Sequence, residues 1–207
     1  MYLFSVGLQS SPGKSLECGA YVRELAAVVT SVSGQEAIAW GSIAGPPVGS
    51  FLLSTRVDAL QDMAEAQAKL MESADYRKLL SAADGILGAP STTHLNQIVA
   101  ASPNYAVKPI LQVVIASVAP GRLSEALAWS SEMNGYVEEV SGVPMVLTMS
   151  AAGPFSDLSF IASADSLADV EAANNKLAAD PGYISRLDQS AGVFLPGATR
   201  FLAQKLS

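Results

Sequence analysis

The sequence runs twice through one pattern, and a chain made of two like halves is expected to fold as two like units. Pro12-Gly13-Lys14 returns as Pro120-Gly121-Arg122, and Val32-Ser33-Gly34 returns as Val140-Ser141-Gly142, both 108 positions later. Ser42-Ile43-Ala44-Gly45-Pro46 returns at the same spacing as Ser150-Ala151-Ala152-Gly153-Pro154. One residue is then lost and the spacing becomes 107: Asp58, Leu60 and Asp62 match Asp165, Leu167 and Asp169, and Tyr76, Leu80 and Gly85 match Tyr183, Leu187 and Gly192. The gap falls in a turn, where a change of length costs little. The two halves are read as domains 1–104 and 105–207.

Each half spells a βαββαβ unit. Tyr2–Gln9 and Ile110–Val118 are apolar, β-branched runs of strand length. After the Pro-Gly-basic turn, Tyr21, Leu25, Val28, Val29 and Val32 recur at helical spacing, as do Trp129, Met133, Tyr136, Val137 and Val140. That i, i+3/i+4 rhythm predicts a helix lying on a core, from about Ser15 to Ser33 in the first half, and Gly34 and Gly142 are its natural stops. Two strands joined by the Ser-x-Ala-Gly-Pro turn follow in each half, 37–43 with 50–57 and 145–151 with 158–164. Asp58 and Asp165 are expected to cap the second helix, whose free first-turn amides a carboxylate can accept. That helix should end near Glu72 and Ala179, restart at Asp75-Tyr76 and Asp180-Pro181-Gly182-Tyr183, and give way to a last strand at 92–99 and 199–206.

The strands are too apolar for a sheet with one wet face, which would alternate polar and apolar residues. Gln112 aside, Ile110 to Ile115 is apolar at both parities. Helices can cover one face, and the sheet of the other half is the natural cover for the second. The predicted fold is therefore α+β: tandem ferredoxin-like βαββαβ repeats whose two antiparallel four-stranded sheets pack as an intramolecular α/β barrel with the helices outside. Half of the 207 residues are hydrophobic and 15% are charged, so oligomer formation is a further way to bury surface.

The net charge is −7, and the lysines and arginines form no cluster. Nucleic acid is not an expected partner, because phosphate neutralisation needs clustered positive charge. Cys18 is the one cysteine, so no internal disulfide can form, and a cytoplasmic setting fits. The N-terminal apolar stretch breaks at Gln9 to Pro12 and reads as a strand rather than a signal peptide. No apolar run approaches the roughly 18 residues of a membrane span. One histidine and one cysteine fall short of the about four ligands of a structural zinc site. No metal or cofactor is expected.

The Pro-Gly-Lys/Arg turn after the first strand, the Asp-Pro-x-Tyr-like break after the second helix, and their order in both halves resemble the dimeric α/β-barrel superfamily of ferredoxin-like proteins. Its members usually dimerise so that two sheets form a barrel, and a tandem copy looks like that dimer within one chain. The resemblance covers both halves and extends to antibiotic-biosynthesis monooxygenase-like and polyketide cyclase-like proteins. In such proteins the ligand commonly lies between a sheet and its own helices, near the break after helix 2. The resemblance therefore points to Tyr76 and Tyr183. Some cyclases carry a catalytic histidine in this region, and this chain has none there.

Tyr76 and Tyr183 hold the same place in the two halves; a phenol can donate to a ligand oxygen, or its ring can simply pack under the helix break. His94 is the only histidine and could act as a general base near neutral pH, although its counterpart is Phe201. His94 and Tyr76 are the candidate catalytic residues, and Trp40, Arg77 and Tyr183 the candidate ligand-binding residues, with Trp40 read as a core or pocket-wall tryptophan. Most of these lie in the first half. Two functions compete. One is a cofactor-independent monooxygenase, cyclase or isomerase acting on a small, apolar, oxygen-bearing compound of aromatic or polyketide-like kind. The other is a non-catalytic ligand-binding or structural oligomeric protein.

Overall fold

The computed structural model describes residues 1–206. The first repeat consists of β1 (Tyr2–Gln9), α1 (Ser15–Ser33), β2 (Ala37–Ala44), β3 (Ser50–Val57), α2 (Leu60–Glu72), α3 (Ala74–Ala82) and β4 (Thr92–Ala101). The second repeats that order as β5 (Ile110–Ser117), α4 (Leu123–Ser141), β6 (Met145–Ala152), β7 (Asp157–Ala164), α5 (Leu167–Ala179), α6 (Pro181–Gln189) and β8 (Thr199–Lys205). The hydrogen-bonded strand order is β1-β3-β2-β8-β5-β7-β6-β4, an eight-stranded closed barrel. The fold is thus α+β and carries the tandem ferredoxin-like pattern. Among the described residues, no helix is long and apolar enough to cross a membrane.

By compactness the chain divides into one unit of Met1–Gln97 with Ala203–Ser207 and a second of Ile98–Leu202.

In the first unit, α1 lays Cys18, Tyr21, Val22, Leu25 and Val29 against Leu8, Ala39 and Leu53 of the sheet. These helix positions recur every three or four residues, so they form one stripe. α1 ends at Gly34, whose φ of 77° is left-handed and whose amide closes the last turn on the Thr30 carbonyl. The second unit is built alike: Ala126, Met133 and Val137 of α4 meet Met145, Leu147, Leu158 and Phe160. α4 stops at Gly142, with φ 78°.

The helix caps differ from the sequence expectation. α2 and α5 begin one residue later than an Asp58 or Asp165 cap requires; the cap positions are Ala59 and Ser166. Ser166 accepts from the Asp169 amide at 3.2 Å through its hydroxyl, and the Asp62 carboxylate reaches back to the Ala59 amide at 3.0 Å. Asp165 instead accepts from Lys108 at 2.7 Å. A serine beside the aspartate offers the shorter hydroxyl, and it fits the N-cap equally well. The restart after α5 follows expectation, with Asp180 capping α6 and Pro181 in its first turn.

Leu147 is fully buried, whereas Leu16 is 92% exposed. Truncating a buried leucine removes its contacts and leaves a cavity. Leu147→Ala should therefore lower unfolding stability by about 2–5 kcal/mol, and Leu16→Ala by less than about 0.5 kcal/mol. Urea unfolding followed by far-UV circular dichroism compares the two.

Candidate functional site

The second unit encloses a cavity of about 230 Å³ between its sheet and its three helices. The floor is the helix-facing side of the strands: Gln112 and Val114 of β5, Phe160, Ala162 and Ala164 of β7, and Met145 of β6. Register explains why these residues converge. Val114 pairs with Phe160 and Gln112 with Ala162, and Met145 pairs with Ala162 from the other side, so they share one face. The roof is the i, i+4 stripe Trp129, Met133, Val137 and Ser141 of α4, with Val170, Ala173, Asn174 and Leu177 of α5. Tyr183 and Leu187 of α6 and Arg200 of β8 complete it. Leu187 is 40% exposed and Arg200 is exposed, which places the mouth on their side.

The repeats distribute bulk differently around this space. The first repeat carries Phe4, Val57 and Met63 where the second has the smaller Gln112, Ala164 and Val170, and Ala37 and Leu53 where the second has the larger Met145 and Phe160. A cavity of about 150 Å³ lined by apolar side chains can hold benzene. One of 230 Å³ therefore suits a compound of one or two rings.

The walls are mainly apolar. The Trp129 ring meets Phe160 edge-on at 6.3 Å between centroids and Phe194 at 5.3 Å. The polar groups are few. Gln112 Nε2 donates to Asn174 Oδ1 at 3.3 Å and Asn174 Nδ2 returns to Gln112 Oε1 at 3.2 Å, tying β5 to α5. Ser141 is committed to its own helix, donating to the Val137 carbonyl at 2.6 Å. The Tyr183 hydroxyl has no hydrogen-bond partner among the described residues, so it is available to a ligand. No aspartate, glutamate, histidine or cysteine lines the cavity. Among the described residues, no cluster of three such side chains could hold a metal ion.

A polar clamp sets the position of α6, and hence of Tyr183. Tyr136 donates its hydroxyl to Asp180 Oδ1 at 2.8 Å, and that oxygen also accepts the Tyr183 amide at 2.6 Å. The Arg186 guanidinium lies 3.7 Å above the centre of the Tyr136 ring, and its Nε is 3.6 Å from Glu132. Trp129 donates from its indole to the Arg186 carbonyl at 3.0 Å, joining the clamp to the cavity wall. The hydrogen bonds from Tyr136 and from the Tyr183 amide hold the Asp180 carboxyl below its ordinary value of 3.8. The same Asp180 bond raises the Tyr136 phenol. A Cβ at Gly182 would collide with the Tyr136 hydroxyl oxygen, so a side chain there would displace the clamp.

The five residues singled out in the sequence do not form one site. Tyr183 lines the cavity of the second unit. Tyr76 packs against the core of the first unit, and burial raises its phenol. Trp40 is 1% exposed and donates from its indole to Ser54 at 2.8 Å. It follows Ala39, which faces α1, so Trp40 lies on the opposite sheet face from Tyr76. His94 is exposed and pairs with Ser5, also on the face away from Val6 and Leu8, which pack with α1. Arg77 is exposed and donates to the Met71 carbonyl at 3.2 Å. His94 and Tyr76 thus lie on opposite sides of their sheet. Arg200, Asn174 and the Tyr136–Asp180–Arg186 clamp escaped the sequence reading. The available signal was a change of character between the repeats: Arg200 is charged where the first repeat has Thr93, and Gln112 is polar where it has Phe4.

No protein-family model matches the chain, and no curated protein matches it in sequence. Solved structures do match. A candidate monooxygenase from Fusobacterium nucleatum aligns over 100% of this chain and 92% of its own, with TM-score 0.74 and 8% identity. An anthrone oxidase-like protein aligns over 100% and 91%, with TM-score 0.70 and 13% identity. A major regulator of staphylococcal pathogenesis aligns over 100% of both chains, with TM-score 0.60 and 4% identity. At such identities the likeness speaks for the fold, which is shared by proteins of different activity.

The clamp carries a pH signature. A carboxyl whose folded value is depressed adds stability above its unfolded value and loses that contribution as pH falls through the folded one. Asn is as good an N-cap as Asp, so Asp180→Asn removes the charge and keeps the cap. Wild type should exceed Asp180→Asn in urea midpoint at pH 6–8. The gap should close as pH drops below about 3.8, the ordinary value for this group.

Proposed function

Starting from a chain with the ferredoxin-like dimeric α/β-barrel fold, a fold typical of small-molecule enzymes, we propose that the cavity of the second unit is its working site. The reaction is a cofactor-independent one, an oxygenation, cyclisation or isomerisation, and the substrate is an aromatic, oxygen-bearing compound of one or two rings. The single observation carrying this reading is the 230 Å³ apolar cavity into which Tyr183 faces with no hydrogen-bond partner for its hydroxyl among the described residues. Concave, mainly apolar space with a few placed polar groups is the usual form of a small-molecule site. Its place between a sheet and its own helices is also where the family resemblance puts ligands.

The wall residues set what the site could do. Trp129 and Phe160 offer ring edges and faces to an aromatic body. Tyr183 donates a hydrogen bond to the ligand oxygen and stabilises the negative charge of a substrate that has already given its proton to water before entering. Apolar walls keep water out, so that bond acts at lower dielectric than in solution. The names of two structural neighbours, a candidate monooxygenase and an anthrone oxidase-like protein, agree with such chemistry. His94 and Tyr76 remain proposals for a separate role in the first unit.

One observation favours the second reading, a ligand carrier without turnover: no carboxylate, imidazole or thiol lines the cavity, so no ordinary general base is at hand. Oxygen uptake separates the two readings. With 1,3-dihydroxynaphthalene as probe, the enzyme reading expects oxygen consumption or a new product above the buffer control. Binding without turnover supports the carrier.

Binding itself is checked by titration calorimetry with the same probe. Ala162→Leu should fill the cavity and reduce affinity at least about tenfold, a loss of about 1.4 kcal/mol. Tyr183→Phe removes one hydrogen bond of about 0.5–1.5 kcal/mol and should cost roughly three- to tenfold. Unchanged affinity in Ala162→Leu would place the binding site elsewhere.

A further inference from the structure

We infer that the cavity of the second unit selects a monoanion, an aromatic carboxylate whose ring system lies against the Trp129–Phe160 pair while its charged group stays at the mouth on Arg200. The inference rests on the reading of that cavity as the working site and adds the substrate class to it.

Arg200 is placed by its strand. β8 neighbours β5 in the sheet, and Leu202, two residues on, packs with Ile110, Ala164 and Val170 on the helix-facing side. Side chains two apart on a strand share a face, so Arg200 faces the same side and lines the cavity. The first repeat supports that register, since Val6 pairs with Thr93, and these are the counterparts of Val114 and Arg200.

The charge of Arg200 is unanswered within the chain. Ion pairs among the described residues engage Lys14, Lys108, Arg122 and Arg186, and Arg200 takes part in none of them. No acidic side chain lines the cavity, so Arg200 gives the lining a net positive charge in a chain whose net charge is −7. A neutral substrate would need no such group. A dianion would leave one of its two charges unmatched by the single guanidinium of this lining. A single guanidinium at the rim of an apolar space matches one carboxylate, which it can meet with two parallel N–H donors. The Gln112–Asn174 pair sits deeper in the wall. Each amide there spends one N–H on the other, which leaves each with a second donor.

Because Arg200 is exposed, water already solvates the guanidinium, and the expected preference is moderate, about tenfold rather than a thousandfold. The test compares 2-naphthoate with 2-naphthamide, which share shape and differ in charge. Binding is measured by calorimetry on the full chain, wild type and Arg200→Gln, with the unfolding midpoint confirming that the variant is folded. Wild type should bind the acid about tenfold more tightly than the amide. Arg200→Gln should bring the two affinities to within about twofold of each other, and raising salt should weaken the acid alone in wild type. Equal affinities in wild type, or a preference that survives in Arg200→Gln, would overturn the anion selection and leave the cavity reading standing. Binding of neither probe would overturn both.

Discussion

Everything the second unit does depends on how α4 lies on its sheet. Trp129, Met133, Val137 and Ser141 fall on one stripe of that helix and face Phe160, Met145 and Ala162 across the interface. Where the facing side chains are large they close into core, as Met133, Leu147 and Leu158 do. Where they are small, at Ala162 and Ala164, they stop short of contact and a space remains. The same packing that stabilises the unit therefore defines the cavity. An interior packed like a crystal keeps such a gap only if its frame is stiff.

Polar ties in the walls brace that frame. The Gln112–Asn174 amide pair joins strand to helix on one side. The Tyr136–Asp180–Arg186 clamp fixes α6 on the other, with the Trp129 indole bonded to the Arg186 carbonyl. In the first repeat the counterparts of Tyr136, Asp180 and Arg186 are Val28, Ser73 and Leu79, and Leu79 belongs to the core. One repeat thus packs apolar groups at this junction, and the other holds it with hydrogen bonds and a stacked guanidinium. Two copies of one architecture have diverged in what occupies equivalent positions.

Polar residues at apolar positions carried the information about the site. Gln112 was visible as the exception in an otherwise apolar strand, yet nothing in its neighbourhood in the chain named Asn174, 62 residues away, as its partner. Tyr183 was legible because the helix break that precedes it is repeated. Arg200 was not, since an arginine near the chain end reads as a surface charge until its strand is given a face. Trp40, His94, Tyr76 and Arg77 illustrate the converse. They are close enough in one repeat to suggest a group, but strand alternation sends Trp40 and His94 to one side of the sheet while Tyr76 lies on the other.

The sequence by itself determined the duplication, the order of elements in each βαββαβ unit, the stripes that α1 and α4 bury, and the glycines that end them. These are local or periodic properties, set by 3.6- and 2-residue repeats and by backbone freedom at single positions. Only the tertiary structure decided that Ser166 rather than Asp165 caps α5, that a cavity opens over Ala162 and Ala164, and that Tyr183 and Arg200 meet at it. Each of those depends on distances between side chains far apart in the chain, where a difference of one or two methyl groups decides whether two walls touch or leave room for a ligand.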